Sequence, residues 1–144
     1  MRIPVIKVSV IRDGSCDVNS LLDCPERVAA AYRAIVGDDE RENLLAFYLD
    51  AQSKIKSICV VSIGTLSASL VHPREVFRPA VIAGAAAVIV AHHHPSGDCS
   101  PSADDRDTTL RLRKAGEILG IPVLDHVIIA GENRYSFRES GLMS

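Results

Sequence analysis

The chain has 144 residues, 47% of them hydrophobic and 24% charged, with a formal net charge of −2 at pH 7. That length suits one domain with one core, and the balance excludes disordered, collagen-like and low-complexity classes. Slight acidity and 4% aromatics argue against a domain that holds nucleic acid through a basic stripe or a stacking platform.

Residues 4–11 alternate apolar and polar side chains and read as a first strand, so residues 1–20 are expected to form an N-terminal strand extension of a single 1–144 domain. The first residues lack the apolar block of a signal peptide. The longest apolar stretch, Val81 to Ala91, is eleven residues, about half of a membrane span. A cytoplasmic protein with no membrane association is expected. Its four cysteines, Cys16, Cys24, Cys59 and Cys99, form no C-x-x-C pair, as reduced thiols would, and Cys24 and Cys59 are expected to be buried.

Asp23 or Cys24 can cap a helix that begins at Pro25 and stops at Gly37. Asn43 to Asp50 and Ile55 to Ile63 read as two strands of a hairpin around the turn Ala51-Gln52-Ser53-Lys54. The loop Gly64 to Val71 leads to a helix from Pro73, where Pro79 predicts a kink or restart. Ala87 to Ala91 is short, β-branched and apolar, the pattern of a central strand buried on both faces. Beyond it, a helix headed by Pro101, with Ser100 as its cap, runs to about Leu119, and Val123 to Ile129 and Tyr135 to Phe137 supply two further strands. The order predicts a mixed α/β fold with helices covering a central mixed sheet.

The informative segment is AHHHPSGDCSPSADD, residues 91–105. Alternation on a strand sends His92 and His94 to one side, with Cα atoms about 6.6 Å apart, so that two imidazoles can converge on one metal ion. A catalytic zinc site commonly takes three protein ligands and leaves a fourth position for water. In the following helix, Asp104 aligns with Arg111 and Asp107 with Lys114, whereas Asp105 aligns with Leu112 and Leu119 and so heads the buried stripe. Acidic residues in a first turn also serve the helix dipole, and a histidine at a strand end often only meets solvent. Three consecutive histidines leaving a buried strand must each be solvated, paired or metallated, and together with Asp105 they favour a metal site.

These residues resemble a known family. His92-x-His94-Pro95, six residues, Ser102, two residues, Asp105 reproduces the JAMM (MPN-plus) metalloprotease motif. The phrases HHHPSGD, SPSADD, GIPVLDHVII and VHPREVF are similar to the bacterial RadC-like JAB domain over roughly residues 20–142. The resemblance implies a JAB/MPN-like fold with cytidine-deaminase-like layering and one zinc ion per chain held by His92, His94 and Asp105. It also implies Ser102 near the substrate oxygen and an upstream glutamate as general base, which by position is Glu42. Glu40 and Glu75 fit less well, Glu75 because it can cap its own helix. The implied chemistry is attack of metal-activated water on a peptide or isopeptide carbonyl, with Ser102 donating to the oxyanion or acting only in an S-x-x-D capping box.

Two positions depart from the family phrase. His93 stands where Asn is usual and by alternation faces away from the metal, as a hydrogen-bonding substitute. Cys99 stands where Pro is usual, and its thiolate could close the fourth zinc position. His126 reads as a hydrogen-bonded core or strand-end histidine, Thr65 as a polar contact bordering the cleft and Arg74 as a solvated surface residue.

The expected partner is a peptide or protein substrate, and a homo-oligomer is compatible with the sequence. The alternative is a DNA repair-associated accessory or nuclease-like protein, suggested by the traditional labelling of RadC-like proteins. Nucleic-acid binding is not expected from this domain alone, since it contains no helix-hairpin-helix segment. A catalytically silent interaction module is disfavoured by the intact motif, and deaminase chemistry by the missing P-C-x-x-C half of its signature.

Overall fold

The computed structural model describes residues 1–64 and 71–143. In chain order the elements are α1 (Pro25–Val36), β1 (Asn43–Leu49), β2 (Ile55–Ile63), α2 (Pro73–Ala83), β3 (Ala87–His93), α3 (Ala103–Leu119), β4 (Val123–Ala130) and β5 (Asn133–Ser136). The five strands form one mixed sheet in the order β2-β1-β3-β4-β5. Neighbours are antiparallel except β3 and β4, the pair joined by the α3 crossover.

β3 is central and its apolar run is buried on both faces, because helices cover both. On one face Val28, Ala29, Ala31 and Tyr32 of α1 pack on Leu45, Phe47, Ile89 and Ala91. On the other, Val76, Phe77 and Ala80 of α2 and Leu112 of α3 pack on Leu44, Ala46, Val88 and Val90. The Tyr48 hydroxyl donates to the Val76 carbonyl at 2.6 Å, which ties β1 to α2 without leaving a buried polar group unpaired. Near its C-terminus α3 approaches so closely that a Cβ on Gly116 would lie 2.6 Å from the Ile121 carbonyl oxygen. No helix among the described residues is long and apolar enough to cross a membrane.

Several expectations are corrected. The strand over residues 4–11 does not form: residues 1–19 have no regular secondary structure and, apart from half-buried Val18, are exposed. A strand exists through ladder bonds to a neighbour, and the chain first pairs at Leu22, whose N–H donates to Ser53 O, and at Ser20 O, which accepts from Ile55. α2 runs through Pro79 without a restart. One missing bond does not end a helix anchored by buried Val76, Phe77 and Ala80. α3 begins at Ala103 with Ser102, not Ser100, as its N-cap. Its buried stripe ends at Gly116, and Leu119 is exposed. Cys24 and Cys59 are half-buried rather than buried. Thr65 lies outside the described residues.

Candidate metal centre

The site forms where β3 leaves the core and α3 returns to it. His92 is the penultimate residue of β3, and His94 follows the strand, with its N–H donating to Ile129 O of β4 at 2.8 Å. Asp105 sits in the first turn of α3, held by a capping box. In that box Ser102 Oγ accepts the Asp105 N–H at 3.0 Å, and Asp105 Oδ2 accepts the Ser102 N–H at 2.8 Å. The helical phase read from the sequence therefore holds where it matters: Asp105 is buried, whereas Asp104 and Asp107 are exposed.

His92 Nε2 lies 3.1 Å from Asp105 Oδ1, His94 Nε2 lies 3.1 Å from Asp105 Oδ2, and the two Nε2 atoms are 3.2 Å apart. Ligand atoms 2.0–2.1 Å from a tetrahedral ion are separated by roughly 3.3 Å, so this triangle of two imidazoles and one carboxylate, in which each imidazole meets a different oxygen, has contacts of the size found around a zinc ion. His92, His94 and Asp105 are accordingly a group able to hold a metal ion.

The hydrogen bonds around the triangle bear on which atoms carry protons. His94 Nδ1 is 2.8 Å from the Asp98 carbonyl oxygen, which can only accept, so Nδ1 donates and the neutral ring presents a bare Nε2. Burial alone would raise the Asp105 carboxyl. When His92 also carries a proton on Nε2, its hydrogen bond and charge, with the Ser102 N–H, outweigh burial and hold the group below the usual carboxylate range; a cation in the place of that proton would act in the same direction. Asp105 is therefore an anion facing imidazole nitrogens.

His93 points to the opposite face. Its Nδ1 lies 2.8 Å from the Tyr32 hydroxyl oxygen, whose single proton is donated to the Asn43 carbonyl at 2.6 Å, so Nδ1 is the donor to Tyr32. This is the hydrogen-bonding role expected of it. Cys99 is not among the residues whose ligand atoms converge on the triangle. Arg74 is exposed and pairs with neighbouring Glu75 at 3.4 Å.

Glu42 immediately precedes β1 and is half-buried, and its carbonyl accepts the Gly64 N–H at 2.8 Å. β1 and β3 are antiparallel with Leu45 opposite Ala91. Continued past the last paired residues, that register sets Glu42 opposite His94. Alternation assigns Glu42 to the face of Leu44 and Ala46, the α3 face, which is also the face of Val90 and His92.

Sequence reasoning assigned no part in the site to two residues that touch it. His126 is a buried, bonded core histidine as expected, but its Nε2 contacts His92 Nδ1 at 2.8 Å. Its Nδ1 contacts Thr109 Oγ1 at 2.6 Å. Thr109 stands four residues after Asp105, a spacing that marks a shared helix face. The pairing of His126 with β3 is long-range and had no local signal. The adjacent Asp125 accepts from Ser136 Oγ at 2.6 Å and from Arg138 N at 3.0 Å, which pins β4 to the segment after β5.

Comparison with known proteins agrees with this geometry. The RadC-like JAB domain model matches residues 22–142. A UPF0758 protein of Rubrobacter xylanophilus is 44% identical over 123 residues, 85% of this chain and 54% of the relative. One of Trichlorobacter lovleyi is 50% identical over 119 residues, 83% of this chain and 52% of the relative. A UPF0758 protein of Methanococcoides burtonii is 51% identical over 106 residues, 73% and 46% of the two chains. The chain thus spans about half the length of the curated relatives it matches. With the motif, the fold and the matched span in agreement, the chain belongs to the RadC-like JAB domain family.

Proposed function

We propose that the chain is a zinc-dependent metallohydrolase of the JAMM type, cleaving a peptide or isopeptide bond in a peptide or protein substrate. The observation that carries this reading is the convergence of His92, His94 and Asp105, in which the two Nε2 atoms are 3.2 Å apart and lie 3.1 Å from Asp105 Oδ1 and Oδ2 respectively. Three such ligands, one of them anionic, are the donor set of a catalytic rather than a closed structural zinc site. A zinc ion held by these three residues would supply Lewis acidity and lower the pKa of the attacking water to about 7.

The chain's own residues complete the reaction. The Glu42 carboxylate takes a proton from the attacking water and returns it to the leaving nitrogen as the C–N bond breaks. The Ser102 hydroxyl accepts the Asp105 N–H, which orients it while its own proton remains available for the carbonyl oxygen as negative charge develops there. Asp105 remains anionic throughout, and its capping box holds it in the first turn of α3.

The test is a screen of pooled peptides and ubiquitin-like conjugates by mass spectrometry, with the zinc-loaded wild type and zinc-loaded Glu42→Gln side by side. New cleavage products from the wild type alone support the reading. No cleavage by the wild type, or equal cleavage by Glu42→Gln, contradicts it. A salt-sensitive DNA complex that survives His92→Ala/His94→Ala would support the DNA-associated reading instead.

A further inference from the structure

We propose that Thr109 and His126 are positioning residues that fix which nitrogen of His92 carries its proton, so that Nε2 is presented bare to a cation. The inference rests on the metal-site reading and concerns the residues behind the triangle. They form a continuous buried line: His92 Nδ1 to His126 Nε2 at 2.8 Å, His126 Nδ1 to Thr109 Oγ1 at 2.6 Å, and Thr109 Oγ1 to the Asp105 carbonyl oxygen at 2.7 Å.

The direction of every bond follows from its last member. A backbone carbonyl has no proton, so the 2.7 Å contact is a hydrogen bond only if Thr109 donates its single hydroxyl proton to Asp105 O. Thr109 Oγ1 is then left to accept, and His126 Nδ1 must be the donor. His126 is fully buried between His92 and Thr109, its ring stacked on Phe137 with centroids 4.8 Å apart and planes 9° apart, and a single ring proton, on Nδ1, serves both of its contacts. A neutral His126 protonated on Nδ1 has a bare Nε2, which accepts from His92 Nδ1–H. A neutral His92 protonated on Nδ1 then carries its lone pair on Nε2, inside the triangle.

The opposite order reverses each step. It would leave two oxygens in contact at 2.7 Å with no proton between them and put a proton on His92 Nε2, where a cation would bind. The relay therefore selects one tautomer of His92, as the Asp98 carbonyl does for His94. Both imidazoles then offer bare nitrogens to the same point as the Asp105 carboxylate. That arrangement is repulsive until a cation occupies it. Unlike the Asp98 contact, the line behind His92 is entirely buried and ends on the backbone of the third ligand, so it also fixes the position of α3 against β3.

Two measurements test this, and neither uses turnover. The first is the zinc dissociation constant, by competition with a chromophoric chelator, for wild type, Thr109→Val and Thr109→Ser. Valine keeps the shape and removes the hydroxyl; serine restores it. Expected is a loss of about 10- to 100-fold in affinity for Thr109→Val, recovered to within about threefold by Thr109→Ser. The second is the ¹⁵N spectrum of the histidines in the zinc-loaded wild type, where His126 and His92 should both be Nδ1–H tautomers. Thr109→Val binding zinc as tightly as the wild type, or His126 protonated on Nε2, overturns the relay while leaving the metal site intact. A wild type that takes up no zinc overturns the metal reading and the relay with it.

Discussion

His92 and His93 are consecutive residues of one strand, yet the two faces of the sheet give them different work. His93 turns to the α1 side and meets the Tyr32 hydroxyl, a partner that satisfies it within the protein. His92 turns to the α3 side, where Nδ1 meets buried His126 and Nε2 meets His94 and the Asp105 carboxylate. Residue type alone does not make a ligand. What distinguishes the α3 face is that two imidazole Nε2 atoms and a carboxylate converge there with contacts of 3.1–3.2 Å.

The largest effect should come from emptying the α3 side. His92→Ala/His94→Ala is expected to abolish zinc uptake, measured by elemental analysis of untagged protein, and all hydrolysis. The circular dichroism spectrum should persist, because the apolar clusters on both sheet faces hold the fold and each buried aliphatic or aromatic side chain contributes about 1.5–3 kcal/mol. Loss of the folded spectrum would mean that the triangle is structural. Next, Glu42→Gln should retain zinc and lower kcat by about 10²- to 10⁴-fold, the usual contribution of a positioned general base. Ser102→Ala should lower kcat by about 10²- to 10³-fold, as expected for one oxyanion donor, and cost about 1 kcal/mol through the lost cap. A change in stability without a change in kcat would leave Ser102 with the capping role alone.

The α1 side should respond in the opposite sense. His93→Ala removes the contact to Tyr32 and is expected to lower stability in urea by about 1 kcal/mol while leaving zinc affinity unchanged. If His93→Ala weakens zinc binding tenfold, the division between the two faces is wrong. The smallest effect concerns Thr108, whose buried Oγ1 has no hydrogen-bond partner among the described residues. Thr108→Val should raise stability by about 1 kcal/mol, since it removes an unpaired hydroxyl from the core.

The sequence exposes those parts of this molecule that depend on local periodicity. The β-branched run before His92 announces a doubly covered strand, and the seven-residue step from Asp105 to Leu112 places the carboxylate on the inner face; both residues are buried. The same step carried on to Leu119 fails: α3 meets the Ile121 backbone at Gly116, and Ile118 and Leu119 beyond it are exposed. Alternation over residues 4–11 misleads for a related reason: a pattern specifies faces, not whether a partner strand exists.

His126 and Thr109 show the limit most clearly. Their meeting with His92 depends on the parallel register of β3 and β4, which shifts between Val88 and Ile89, and a single sequence does not encode such a pairing legibly. Glu42 was legible only through family resemblance. Its place opposite His94 is an extension of the antiparallel register of β1 on β3 beyond the last paired residues, Leu45 and Ala91, another long-range pairing.

The most direct measurement is X-ray absorption at the zinc edge of the metal-loaded, untagged protein, combined with elemental analysis. One zinc per chain is expected in a shell of nitrogen and oxygen atoms only, at about 2.0–2.2 Å, with imidazole scattering that disappears in His92→Ala/His94→Ala. Zinc absent after loading, or a sulfur shell at about 2.3 Å from a cysteine such as Cys99, would contradict the metal-site reading.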